Sequence, residues 1–99
     1  MANQYPLPHY TSADLEKAAL SRFRALLSFL PKDCKLHREV WGRSTVICID
    51  CDDCPESLKT IKSQTFLLLL VAHYLGLANS VLFKTGKKVK GWTTMACKE

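Results

Sequence analysis

Apolar positions along the chain change their period three times and so divide it into four segments. Ala19, Phe23, Leu26, Leu27 and Leu30 recur at helical spacing and predict a first helix over 12–30 with one apolar face. Thr11-Ser12-Ala13-Asp14 reads as its start, a hydroxyl at the N-cap with an acid in the first turn, and Pro31 as its stop. From Lys35 the β-branched residues take over. Val40-Trp41 and Thr45-Val46-Ile47-Cys48-Ile49 flank Gly42-Arg43, which predicts a hairpin with strands near 36–41 and 44–50. Asp53-Cys54-Pro55-Glu56 opens a second helix that runs through Leu58, Ile61, Thr65, Leu68, Leu69, Ala72 and Leu75 and closes at Gly76. Between Phe66 and Ala72 this helix is apolar all round, so it is expected to be covered on more than one side, with His73 as a hydrogen-bonded core histidine. Val81-Leu82-Phe83, a tight turn at Thr85-Gly86, and a return over 88–95 complete a second hairpin.

The predicted order is therefore α-β-β-α-β-β. The fold expected is a single α+β domain over 11–99, preceded by an extended arm at 1–10 with two prolines. Its four-stranded antiparallel sheet carries both helices on one face. The other sheet face, or an edge strand, is left for a partner.

Length and composition narrow the class further. Ninety-nine residues, 47% hydrophobic and 23% charged, suit one core and exclude both a two-lobed enzyme and wholesale disorder. Phe66–Leu77 is shorter than the roughly 20 apolar residues of a membrane span. Met1–Thr11 has neither the basic start nor the apolar run of a secretory signal. The expected setting is the cytoplasm, without a membrane partner and with thiols reduced.

Charge singles out one hairpin. Residues 1–55 carry seven basic and seven acidic side chains, whereas residues 56–99 carry seven lysines against Glu56 and Glu99, so the whole +5 lies in the second half. Lys84, Lys87, Lys88 and Lys90 bracket one turn, with Phe83 and Trp92 alongside. Such a tip suits a phosphate backbone, with an aromatic ring stacked on a base. Lysines on an edge strand also keep sheets from pairing, which is the plainer reading.

Cys48, Cys51 and Cys54 follow one another at three-residue intervals, and Cys34 and His37 stand upstream with the same gap. Cys34, His37, Cys51 and Cys54 are the set that would hold zinc in a tetrahedral N/S site. Against it stand Cys48, placed in a strand as a core side chain, and Asp50, Asp52 and Asp53 among the thiols. No cofactor is therefore expected. No nucleophile–base set or glycine-rich phosphate loop is legible, so no enzyme is expected either.

Ala72-His73-Tyr74-Leu75-Gly76-Leu77 and the basic hairpin after it resemble the tail of small single-stranded nucleic-acid-binding domains named for an arginine and a histidine one helical turn apart. Thr65 and Leu69 stand where those domains keep that pair, so the family's binding residues do not carry over. The expected function is a small non-enzymatic module that binds nucleic acid through Lys84, Lys87, Lys88, Lys90 and Trp92. The alternative is a protein–protein interaction module, an accessory or inhibitory subunit or a homodimer, with Trp41 and Trp92 as anchors.

Overall fold

Two hairpins joined by a crossover make the sheet. In the computed structural model, which describes residues 12–95, helix α1 (Ser12–Leu26) precedes strands β1 (Lys35–Trp41) and β2 (Ser44–Asp50). A 3₁₀ turn at Pro55–Ser57 leads into α2 (Leu58–Lys62) and α3 (Thr65–Tyr74), and strands β3 (Ser80–Thr85) and β4 (Lys88–Thr94) follow. The strand order is β1-β2-β3-β4. The arm at 1–10 and the Thr11 cap lie outside the described residues.

The sheet is mixed. Both hairpins are antiparallel as expected, but β2 and β3 pair in parallel, with Val46 opposite Ser80 and Asp50 opposite Lys84. The cause is the direction of the connection. From Asp50 the chain climbs through α2 and α3 back along the sheet, and Asn79 N–H then bonds the Thr45 carbonyl at the starting end of β2 (3.1 Å). A strand that begins where its neighbour began must run the same way. The expected all-antiparallel sheet is thereby corrected to a four-stranded mixed sheet, and the domain is α+β with three helices rather than two.

The second helix is broken at Ser63-Gln64. Ser63 Oγ donates to the Thr60 carbonyl (2.6 Å) and Thr65 Oγ1 to the Lys62 carbonyl (2.5 Å), so two hydroxyls compete for helix acceptors at one point. The helix ends as its sequence says. Gly76 takes φ +69, Gly76 N–H bonds the His73 carbonyl, and Leu77 N–H bonds the Ala72 carbonyl, which together form a Schellman close. Helix α1 stops at Leu26, short of the expected residue 30. Pro31 has no N–H for the Leu27 carbonyl and its ring would press on it. The chain instead turns, and the Arg24 guanidinium holds the carbonyls of Pro31 (2.8 Å) and Cys34.

Strand alternation divides the core. Ile47, Ile49, Val81 and Phe83 face the helices and are buried with Phe23, Leu27, Ile61, Leu68, Leu69 and Ala72. Arg38 locks α1 to this face: its Nε donates to the Leu77 carbonyl (2.7 Å) and its Nη1 to Glu16 Oε1 (3.0 Å). On the opposite face Val46, Cys48 and Leu82 form a second, smaller buried cluster.

Candidate functional site

Three places gather chemistry: the lysine hairpin, the cysteines with the helix-free sheet face, and the outer side of α3.

At the hairpin, Lys87, Lys88 and Lys90 are exposed, Lys84 is half-buried, and Trp92 is half-exposed opposite Leu82. Phe83 is not available for stacking. It is buried on the helix side, opposite Gly91. The register slips between Phe83 and Lys84, which leaves Lys90 as the extra residue of a bulge, and its carbonyl accepts from Lys62 Nζ (2.8 Å). The tip is also docked on acids. Asp50 Oδ1 accepts the Gly86 N–H (2.9 Å) and the Asp52 N–H (3.0 Å). A Cβ at Gly86, where φ is +64, would lie 3.1 Å from Asp52 Oδ1. Asp50 is also the cross-strand partner of Lys84, so part of the hairpin's positive charge faces a carboxylate.

The expected zinc quartet is not brought together. Cys34, Cys51 and Cys54 are buried in the helix-side core, whereas His37 belongs to the other face, opposite Cys48. Within this core Cys51 lies against both Cys34 and Cys54. Burial, then the neighbouring Cys54, push Cys34 up to about 11, against a hydrogen bond from Cys51 and the charge of Arg24. Burial and the two neighbouring thiols push Cys51 up to about 12, and burial raises Cys54 as well. All four described cysteines are free thiols.

On the helix-free face Glu39 is the hub. Its Oε2 lies 2.7 Å from His37 Nε2, and its Oε1 accepts from Trp41 Nε1 at 2.8 Å. These two contacts hold its carboxyl below the ordinary glutamate value. Cys48 reaches the same carboxylate from the neighbouring strand, and burial, followed by the charge of Glu39, pushes its thiol up to about 11. Sequence reading missed Glu39 altogether. The signal was there: a two-residue turn at Gly42-Arg43 sets Trp41 opposite Ser44 and so His37 opposite Cys48, with Glu39 two residues on and on the same face.

Helix α3 departs furthest from expectation. Only Leu68, Leu69 and Ala72 are buried. Phe66 is 74% exposed, Tyr74 77%, Leu70 44% and Leu67 38%. His73 is exposed too, not a core histidine. Among the described residues, it is the only ionisable side chain lining a surface recess of about 400 Å³ formed with Thr45, Gly76, Leu77, Ala78, Asn79 and Met95. No helix among the described residues is long and apolar enough to cross a membrane. No family model, no curated protein and no solved structure matches this chain.

Proposed function

We propose that the chain is a non-catalytic protein-interaction module that associates with a second copy of itself through the outer side of α3. The carrying observation is the exposure of Phe66, Leu70 and Tyr74, one turn apart along a helix, with Leu67 beside them. A helix apolar on all sides belongs inside a core, and this fold covers only one of its sides. A contiguous apolar stripe of this kind marks an interaction surface rather than ordinary exposed leucine.

The stripe is self-complementary. Leu70 sits midway between Phe66 and Tyr74, so a two-fold axis at Leu70 sets each Phe66 against the other copy's Tyr74 and each Leu70 against its twin. Helix α3 has no Asp, Glu, Lys or Arg, the composition of an interface centre and not of a solvated face. The four side chains offer roughly 400 Å² of apolar surface per copy, about half of the ~800 Å² each partner commits in a standard interface. A reversible, concentration-dependent dimer follows. Sedimentation across a concentration series tests it. The wild type approaches twice the monomer mass, and Leu70→Asp remains monomeric with unchanged far-ultraviolet circular dichroism. A wild type that stays monomeric at the highest concentrations overturns the proposal.

A second reading keeps the hairpin as a nucleic-acid contact, favoured by the exposed Lys87, Lys88 and Lys90 with Trp92 on the same strand. It requires affinity for a single strand to fall with salt at a log–log slope of roughly −0.7 per phosphate neutralised, flattened by a Lys87→Ala, Lys88→Ala double variant. No binding at low salt removes this reading and leaves the first untouched.

A further inference from the structure

On the sheet face away from α3, His37, Glu39 and Cys48 bring a ring nitrogen, a carboxylate oxygen and a sulfur within 4.8 Å of one another. We propose that these three side chains bind one divalent transition-metal ion of the zinc class, with the remaining coordination position open to solvent.

The backbone sets the triad. His37 and Glu39 are two residues apart on β1 and so share a face, and Cys48 is the direct cross-strand partner of His37 on β2. Neither strand has to move to present the three ligands to one point. Zinc bonds of about 2.0 Å to nitrogen or oxygen and about 2.3 Å to sulfur require the tetrahedral ligand atoms of this set to lie roughly 3.3–3.5 Å apart. The present spread lies within a rotamer adjustment of that, with His37 Nε2 and Glu39 Oε2, now 2.7 Å apart, opening to admit the ion.

The donor set chooses the metal. Sulfur and imidazole disfavour calcium and magnesium, which take oxygen ligands. A thiolate, a carboxylate and a neutral imidazole carry two negative charges and neutralise a divalent ion. Three protein ligands leave the fourth tetrahedral position to water. Binding releases the Cys48 thiol proton to solvent, and His37 coordinates through Nε2 as the neutral ring protonated at Nδ1.

The supporting contact is already in place. Trp41 Nε1 holds Glu39 Oε1 at 2.8 Å and leaves Oε2 for the ion. Access comes from solvent past His37 and Glu39, whose side chains are 46% and 39% exposed, to the buried Cys48 behind them. Among the described residues, this is the one group of three such side chains with its ligand atoms so close. The thiols of Cys34, Cys51 and Cys54, at the far side of the sheet, are the competitors.

The test is a cobalt(II) titration of the full chain. Thiolate ligation gives a sulfur-to-cobalt charge-transfer band in the near ultraviolet, and four-coordinate cobalt gives strong visible bands. The expected result is a charge-transfer band that saturates at one equivalent and is bleached by zinc(II). The band disappears in Cys48→Ser, and His37→Gln weakens binding by at least about 100-fold, the upper end of the loss caused by removing a mere supporting partner. His37→Gln and Glu39→Gln alter partly exposed side chains, so they decide the matter even if Cys48→Ser fails to fold. Absence of the band at excess cobalt overturns the proposal. So does a band that survives His37→Gln and vanishes on Cys54→Ser.

Discussion

Asp50 bonds Gly86 across 36 positions of sequence, its Oδ1 accepting the glycine N–H at 2.9 Å while also accepting Asp52 N–H at 3.0 Å. One carboxylate therefore ties the end of β2 to the turn of the second hairpin. Burial alone would raise its pKa. The two backbone N–H groups, with Lys84 and Lys35 nearby, outweigh that and hold it below the ordinary aspartate value. A depressed acid stabilises the fold above its unfolded pKa and loses that contribution as pH falls through the folded one. Asp50→Ala should cost about 1.5–3 kcal/mol at neutral pH, the usual loss for hydrogen bonds to a charged group. The gap between wild type and variant should start to narrow as pH falls to about 4, where unfolded Asp50 takes up its proton, and close only at lower pH, once the folded carboxyl is protonated as well. Urea denaturation at neutral and acid pH measures it, and a gap independent of pH would show that Asp50 acts by packing alone.

Adjacent leucines on α3 should respond in opposite ways. Leu69 is 7% exposed and packs into the core, whereas Leu70 is 44% exposed on the outer side. Leu69→Asp buries an unpaired charge at a cost of several kcal/mol, on the order of the domain's whole stability, and should unfold it. At concentrations where the wild type is monomeric too, Leu70→Asp should melt cooperatively near the wild-type midpoint. Thermal unfolding of the pair reads the difference. A folded Leu69→Asp would refute the packing of α3 against β3.

That contrast shows what the sequence could reveal. The strands were legible within a residue or so because β-branched runs and two Gly-containing turns set them locally, and the close at Gly76 was legible because only a left-handed residue makes it. The parallel β2–β3 pair was not, because it depends on where the crossover delivers Asn79, 28 residues after Cys51 by simple count along the chain. Phe66 to Leu70 was illegible for another reason. A run of consecutive large apolar residues has no period, so it cannot say which side is covered by its own sheet and which awaits another molecule. At the candidate metal site the residue types were visible. Their grouping required the hairpin register, which parts His37 from Cys34, Cys51 and Cys54 and joins it to Glu39 and Cys48.

The three core thiols should be chemically silent. With burial holding Cys34 near 11 and Cys51 near 12, roughly one Cys34 thiol in a thousand is ionised at pH 8, and fewer at Cys51. In a Cys97→Ser background, which removes the fifth cysteine of the sequence, Cys34, Cys51 and Cys54 should react with Ellman's reagent only as fast as the domain opens, and promptly in denaturant. Rapid labelling of the native protein beyond the single equivalent that Cys48 can supply would contradict their packing in the core.

Symmetry at Leu70 supplies the sharpest test of the dimer. A two-fold axis there brings the same position of both copies together, whereas Leu15 on α1, itself 61% exposed, has no reason to meet its own twin. In the Cys97→Ser background, Leu70→Cys and Leu15→Cys are exposed to mild oxidant at equal concentration, and covalent dimer is read on a non-reducing gel. The account predicts rapid, near-complete cross-linking from position 70 and little from position 15. Equal yields from both positions, or none from position 70, would contradict association through α3.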